Sequence, residues 1–148
     1  MKKVLVSLVV IGFAVTSCQK SGEQKTGEDQ SVEQIRDQVM AIHDEVMRTE
    51  EIMDLKEKIS HQIDSLSKIT PATPVSQNRQ QEGIAINQSL TEADELMNDW
   101  MHNYRSDTLD VLDEAQAKAY LNSELKKITV VKEKVTGGIS QAKKFLGN

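Results

Sequence analysis

Apolar residues recur along most of this chain at alternating steps of three and four, the spacing that lays a stripe down one side of an α-helix. The first stripe is Val32, Ile35, Val39, Ile42 and Val46. It slips near Thr49 and resumes as Ile52, Leu55, Ile59, Ile63 and Leu66. Ser31, just ahead of it, is a predicted N-cap. Thr70-Pro71-Ala72-Thr73-Pro74 ends the run, because proline lacks the amide donor and restricts the residue before it. A second stripe, Ile86, Leu90, Ala93, Met97, Trp100 and Tyr104, predicts a helix beginning between Ser76 and Gln81. Ser106-Asp107 then reads as a short turn and a new N-cap. The third predicted helix runs from Thr108 to Phe145, with Leu112, Ala115, Ala119, Leu125, Ile128, Val131, Val135, Ile139, Ala142 and Leu146 on its stripe. Gly137-Gly138 lies inside it. Each glycine costs about 1 kcal/mol relative to alanine in a helix interior, so a kink or fraying is expected there.

Three long helices with short connections predict an all-α fold over residues 31–148, an antiparallel up-down-up bundle with coiled-coil-like seams. The second helix is the shortest, so the far ends of the first and third are expected to protrude or to pair with each other. The competing architecture is an extended helical hairpin that completes its core only in an oligomer.

One apolar run breaks this pattern. Behind Met1-Lys2-Lys3, residues Val4 to Val15 are apolar except for Ser7 and Gly12. As a helix the run would reach about 18 Å, short of a bilayer core of about 30 Å. A positive start, a short apolar core and a small-residue end predict a secretory leader over residues 1–17. The run closes Val15-Thr16-Ser17-Cys18, which resembles the lipobox of bacterial lipoproteins. That resemblance implies a diacylglycerol on the Cys18 thiol, cleavage just before it and acylation of the new amine. Cys18 is the only cysteine, so no internal disulfide can use it. One acyl chain anchors marginally, whereas two or three on one residue anchor stably. Residues 18–30 are then a lipidated cysteine and a polar, flexible tether.

Charge narrows the partners. Cleavage would remove Lys2 and Lys3 and take the formal net charge from −5 to −7. Such a body lacks the clustered cations that nucleic acid needs, and gains nothing from anionic lipid. Few aromatics, with only Pro71 and Pro74 as prolines, suit long helices.

Candidate chemistry is sparse. The chain has no Gly-rich phosphate loop, no G-x-S-x-G elbow and no H-E-x-x-H zinc motif. Its carboxylates sit at helical spacing among Lys and Arg, as solvated faces do. No enzyme activity and no cofactor are expected. One cluster stands out. In a hairpin turning near residue 74, His43 and Met47 on the first helix come level with Tyr104 and Met101 on the second. His43, Met47, Met97 and Met101 form a candidate soft-metal set, since thioether and imidazole ligands suit Cu(I). Methionine at helical spacing also fills cores, and Trp100 and Tyr104 on the same seam fit that reading. His102 is expected to face solvent. His61, one turn after Glu57, is expected in an exposed ion pair.

Two stretches carry a family resemblance. Ala41-Ile42-His43-Asp44-Glu45-Val46-Met47 running on to Glu51-Ile52-Met53-Asp54-Leu55-Lys56, and Ala93-Asp94-Glu95-Leu96-Met97-Asn98-Asp99-Trp100-Met101-His102, resemble small bacterial lipoproteins of unknown function often labelled "viral A-type inclusion protein". The resemblance implies the lipid address and the helical body, and it implies no mechanism. Such proteins tend to have a proline where Arg48 stands, so the helix is expected to run straighter here.

The sequence thus predicts a lipoprotein of the cell envelope, held to a membrane, expected to be the outer one, by lipid on Cys18. Its body is expected to be a helical structural or interaction module that binds an envelope protein or a second copy of itself. The alternative is a metal-binding or metal-sensing lipoprotein that uses the Met/His set.

Overall fold

In the computed structural model, residues 30–147 are described. The expected leader, Cys18 and the tether as far as residue 29 lie outside them. The described residues form an all-α bundle without strands: α1 (Val32–Val46), α2 (Thr49–Ser67), α3 (Pro74–Asn103) and α4 (Glu114–Leu146), with a short 3-10 turn at Ser106–Asp110. α1 and α2 follow one another in the first of the three expected arms.

The arms run up, down and up. Across α2 and α3, Asn87 Nδ2 donates to Lys56 O at 3.3 Å and to Ser60 Oγ at 3.0 Å. Across α3 and α4, Leu90 lies against Gly138, and Phe145 lies near Arg79 and Gly83. Both pairings are antiparallel. Between the first arm and α4, Lys132 bridges to Glu45 and Lys143 to Glu51, each at 2.7 Å, a parallel pairing. Exposed ion pairs contribute about 0–1 kcal/mol, so these two mark the register more than they stabilise it. α1 packs on α4, and α2 packs on both α3 and α4.

Three capping boxes start the three arms. Ser31 pairs with Gln34, Thr73 with Ser76 and Asp113 with Gln116, each side chain accepting from the other residue's backbone N–H. Each box satisfies amide donors that have no partner inside the helix. Pro74 occupies the first turn of α3, where its missing N–H costs nothing. α3 therefore starts earlier than the expected Ser76 to Gln81. α4 starts later than the expected Thr108. Ser106 heads no α-helix, and Leu112, assigned to the third stripe, precedes α4. The acceptor that starts α4 is Asp113, whose Oδ1 accepts from Gln116 N at 2.9 Å.

Two further expectations are corrected. The first arm does not run straight through Arg48. Met47 (φ −69°, ψ 72°) and Arg48 (φ −119°, ψ 35°) leave the helical region, and α2 restarts at Thr49. The slip in the heptad pattern has its cause here. The break resets the helix phase so that Val46 and Ile52 can both face inward, at 1% and 3% exposure. Gly137-Gly138 brings no fraying, since α4 continues to Leu146. Gly138 is buried, and a β-carbon there would sit 3.2 Å from Leu90 Cδ2. The missing side chain lets α3 and α4 approach closely at that level.

The core follows the stripes of α1, α2 and α3 and the second half of α4. In the first half of α4 the stripe lies elsewhere than expected. Ala115 and Ala119 are exposed, while Ala117, Leu121 and Glu124 are buried. At the far end Phe145 is buried and Leu146 only half so. Arg79 stacks its guanidinium 4.1 Å over the Phe145 ring and donates to the Phe145 carbonyl, one of the last carbonyls of α4.

Candidate functional site

The aromatic residues of the body, Phe145 apart, gather where α3 ends. Trp100 and Tyr104 stand one turn apart on the buried stripe of α3, so their rings stack, with centroids 5.0 Å apart and planes at 24°. α1 adds His43 on the Trp100 side at 5.6 Å, and α4 adds Tyr120 on the Tyr104 side at 6.2 Å. Three arms thus contribute to one ladder of four rings. Tyr120 also fastens the chain leaving α3, because its hydroxyl accepts from the Arg105 N–H at 2.8 Å.

The ladder's polar atoms are incompletely served. Trp100 is 6% exposed. Among the described residues its Nε1 and the Tyr104 hydroxyl are buried without a hydrogen-bond partner. Such groups cost free energy when they lose water. Burial pushes the Tyr104 phenol above its ordinary range. The neighbouring Tyr120 adds to the shift, Arg36 opposes it and Glu124 adds again.

Glu124 is the unusual member. It occupies the buried stripe of α4 between Leu121 and Ile128, at 3% exposure. Its Oε1 accepts from Lys127 Nζ at 2.7 Å, and the lysine reaches back from solvent. A carboxylate is expensive to bury without a cation or donors. Glu124 opens onto a surface groove between α3 and α4, about 450 Å³ in volume. Leu96, Trp100, Val130 and Val131 form its apolar walls, and Asp99 and Lys127 stand at its polar side. Leu96 and Val130 are exposed there, at 38% and 52%. A second groove, between α2 and α3 beside Ile63, Ile84 and Asn87, has no comparable buried charge.

The candidate metal residues fall in unlike settings. Met97 is packed in the core, Met101 lies half-buried against it, and Met47 is 47% exposed at the helix break. His43 turns its ring to Trp100 and its Nδ1 to Asp44 Oδ1 at 2.9 Å. Among the described residues no group of three His, Cys, Asp or Glu side chains could hold a metal ion. His61 Nε2 lies 3.6 Å from Glu57 Oε1 in an exposed pair, and His102 faces solvent, both as expected. Cys18 lies outside the described residues.

Sequence reasoning found Trp100 and Tyr104 and missed Tyr120 and Glu124. A signal for Glu124 was present. Taking Leu121 as a stripe position puts Glu124 and Ile128 on the same face, at steps of three and four.

No protein-family model matches the chain, and neither the curated proteins nor the solved structures compared with it give a match.

What this end of the molecule can do chemically is bind. It offers a buried negative charge, apolar walls and an adjacent lysine, the few polar groups on an apolar surface typical of ligand sites.

Proposed function

We propose that the chain is a lipoprotein of the cell envelope, tethered to a membrane by lipid on Cys18, and that its helical body is a non-enzymatic binding module. The observation that carries the reading is the segment ending Val15-Thr16-Ser17-Cys18, with the only cysteine of the chain at its close. Two further observations support it. The residues from Gln19 to Gln30 contain no aliphatic or aromatic side chain, as suits a tether, and the first capping box follows at Ser31. No helix among the described residues is long and apolar enough to cross a membrane, so a lipid would be the anchor for this part of the chain. The α3–α4 groove is the binding face of this module, because it joins exposed apolar residues to a buried charge.

Expression in a bacterial host with an alkyne-tagged palmitate analogue tests the reading. The expected result is a labelled protein whose processed form begins at residue 18, recovered with the envelope fraction. Cys18→Ala should lose both the label and the processing. An unlabelled wild-type protein, or cleavage at another bond, would remove the basis of the proposal.

A further inference from the structure

The α3–α4 groove has a chemical preference that goes beyond a generic interaction face. Its apolar part is the side of Trp100 together with Leu96, Val130 and Val131. Its charged part is Glu124, buried at the base, and Asp99, against one ammonium, Lys127. The groove is therefore net negative within a chain whose formal charge is already −5. A volume of about 450 Å³ lies in the range of small-molecule sites, about 300–1,000 Å³.

Glu124 supplies the specificity. An exposed carboxylate on a helix face is ordinary, but this one sits on the buried stripe between Leu121 and Ile128. Among the described residues its cation partner is a lysine whose own side chain is 58% exposed. Such a partner reaches in from water and can be exchanged for another cation, whereas the buried carboxylate cannot cheaply be left without one. An incoming ammonium could then take the same carboxylate oxygen in a less solvated setting, where charge-assisted hydrogen bonds are strong. Trp100 lines the same groove. With Tyr104 stacked on one side of the indole and His43 on the other, it gives the groove an apolar ring edge.

We infer that this groove binds a small amphipathic organic cation, an alkyl- or arylammonium, with the ammonium on Glu124 and the apolar portion against Trp100, Leu96 and Val130. The inference rests on reading the body as a binding module. It does not depend on the lipid, so a labelled lipoprotein that fails to bind ammonium would sink this inference alone.

Trp100 is the only tryptophan of the chain, which makes its fluorescence a direct reporter. The full chain in non-ionic detergent is titrated with phenethylammonium and, separately, with its neutral counterpart 2-phenylethanol. Phenethylammonium should shift the emission saturably and bind about tenfold or more tighter than the alcohol, as expected of a charge-assisted contact. Glu124→Gln, with helix content checked by circular dichroism, should abolish that difference. Lys127→Ala removes the competing ammonium at an exposed position and should tighten phenethylammonium binding. Equal affinity for amine and alcohol, or no saturable shift, would overturn the assignment. So would a Lys127→Ala protein that binds no tighter, and this variant keeps the test decisive even where Glu124→Gln does not fold.

Discussion

A β-carbon added at Gly83 would lie 2.9 Å from Phe145 Cζ and 3.0 Å from Ile63 Cγ1, while one added at Gly137 would meet nothing within 4 Å. The same residue type therefore has opposite consequences at two sites in long helices. At Gly137 alanine brings only its higher helix propensity, and Gly137→Ala should raise stability by about 1 kcal/mol. At Gly83 the Phe145 ring is itself buried and cannot retreat. Overpacking of that kind costs about 1–3 kcal/mol, so Gly83→Ala should lower stability. Urea unfolding midpoints should rank Gly137→Ala above wild type and wild type above Gly83→Ala. A stabilised Gly83→Ala would mean that the α2–α3–α4 contact is looser than drawn. Tyr104 permits a second test at this scale. Its phenol titrates above the ordinary value of 10.0, chiefly through burial and then through Tyr120. A raised folded-state value means that the folded chain holds the proton longer than the unfolded chain. That contribution to stability is complete below pH 10 and disappears as the pH rises through the folded-state value. Stability measured upward from pH 9 should therefore fall more steeply for wild type than for Tyr104→Phe. Parallel curves would show that the phenol sits in water.

At the scale of elements, legibility in the sequence followed the strength of the apolar stripe. Ile35, Val39, Ile52, Leu55, Ile59, Leu90 and Met97 are large residues at three-four spacing, and each is buried as that spacing predicts. The first half of α4 offered Ala115, Ala117 and Ala119 at spacing two, and alanine is too small to declare a face. Leu121 and Glu124 were the informative pair, and the charge of Glu124 hid it from an apolar count. The connection after α3 was misplaced for a similar reason. Ser106-Asp107 and Asp113 are both acceptable caps by composition, and only Asp113 is followed three residues later by Gln116, which closes a box. Asp113→Ala should therefore cost about 1 kcal/mol. Ser106→Ala should be nearly neutral, because the Ser106 side chain caps no α-helix. Chemical denaturation of the two variants side by side decides the point, and equal losses would place the true start of the helix earlier. The break at Met47-Arg48 could be read only as a slip in phase. Its conformation is set by the packing of α1 on α4 and of α2 on α3 and α4, which no local pattern records.

The whole molecule bears on the choice between a self-contained bundle and a hairpin that needs a second copy. A hairpin of the latter kind would leave one apolar stripe open. Among the described residues none is open, since the stripe residues from Ile35 to Ala142 that form the core are covered within one chain. The most exposed large apolar residues are Val111 at 81%, Val75 at 78% and Met53 at 65%, on a turn, a first helical turn and an outer helix face. They form no single stripe. A stable homodimer needs roughly 1,200–2,000 Å² of buried surface with an apolar centre. The apolar surface at the α3–α4 groove, Leu96 with Val130, carries Glu124 and Asp99 beside it. A second copy would bring the same net negative groove, two carboxylates with one lysine, against this one, an unfavourable arrangement across a two-fold interface. Residues 19–148, freed of leader and lipid, should therefore run as one chain by light scattering at tens of micromolar, and Val130→Glu should leave that mass unchanged. A wild-type dimer split by Val130→Glu would reverse the argument. It would make a second copy the occupant of the groove and turn Glu124 from a ligand group into part of an assembly contact.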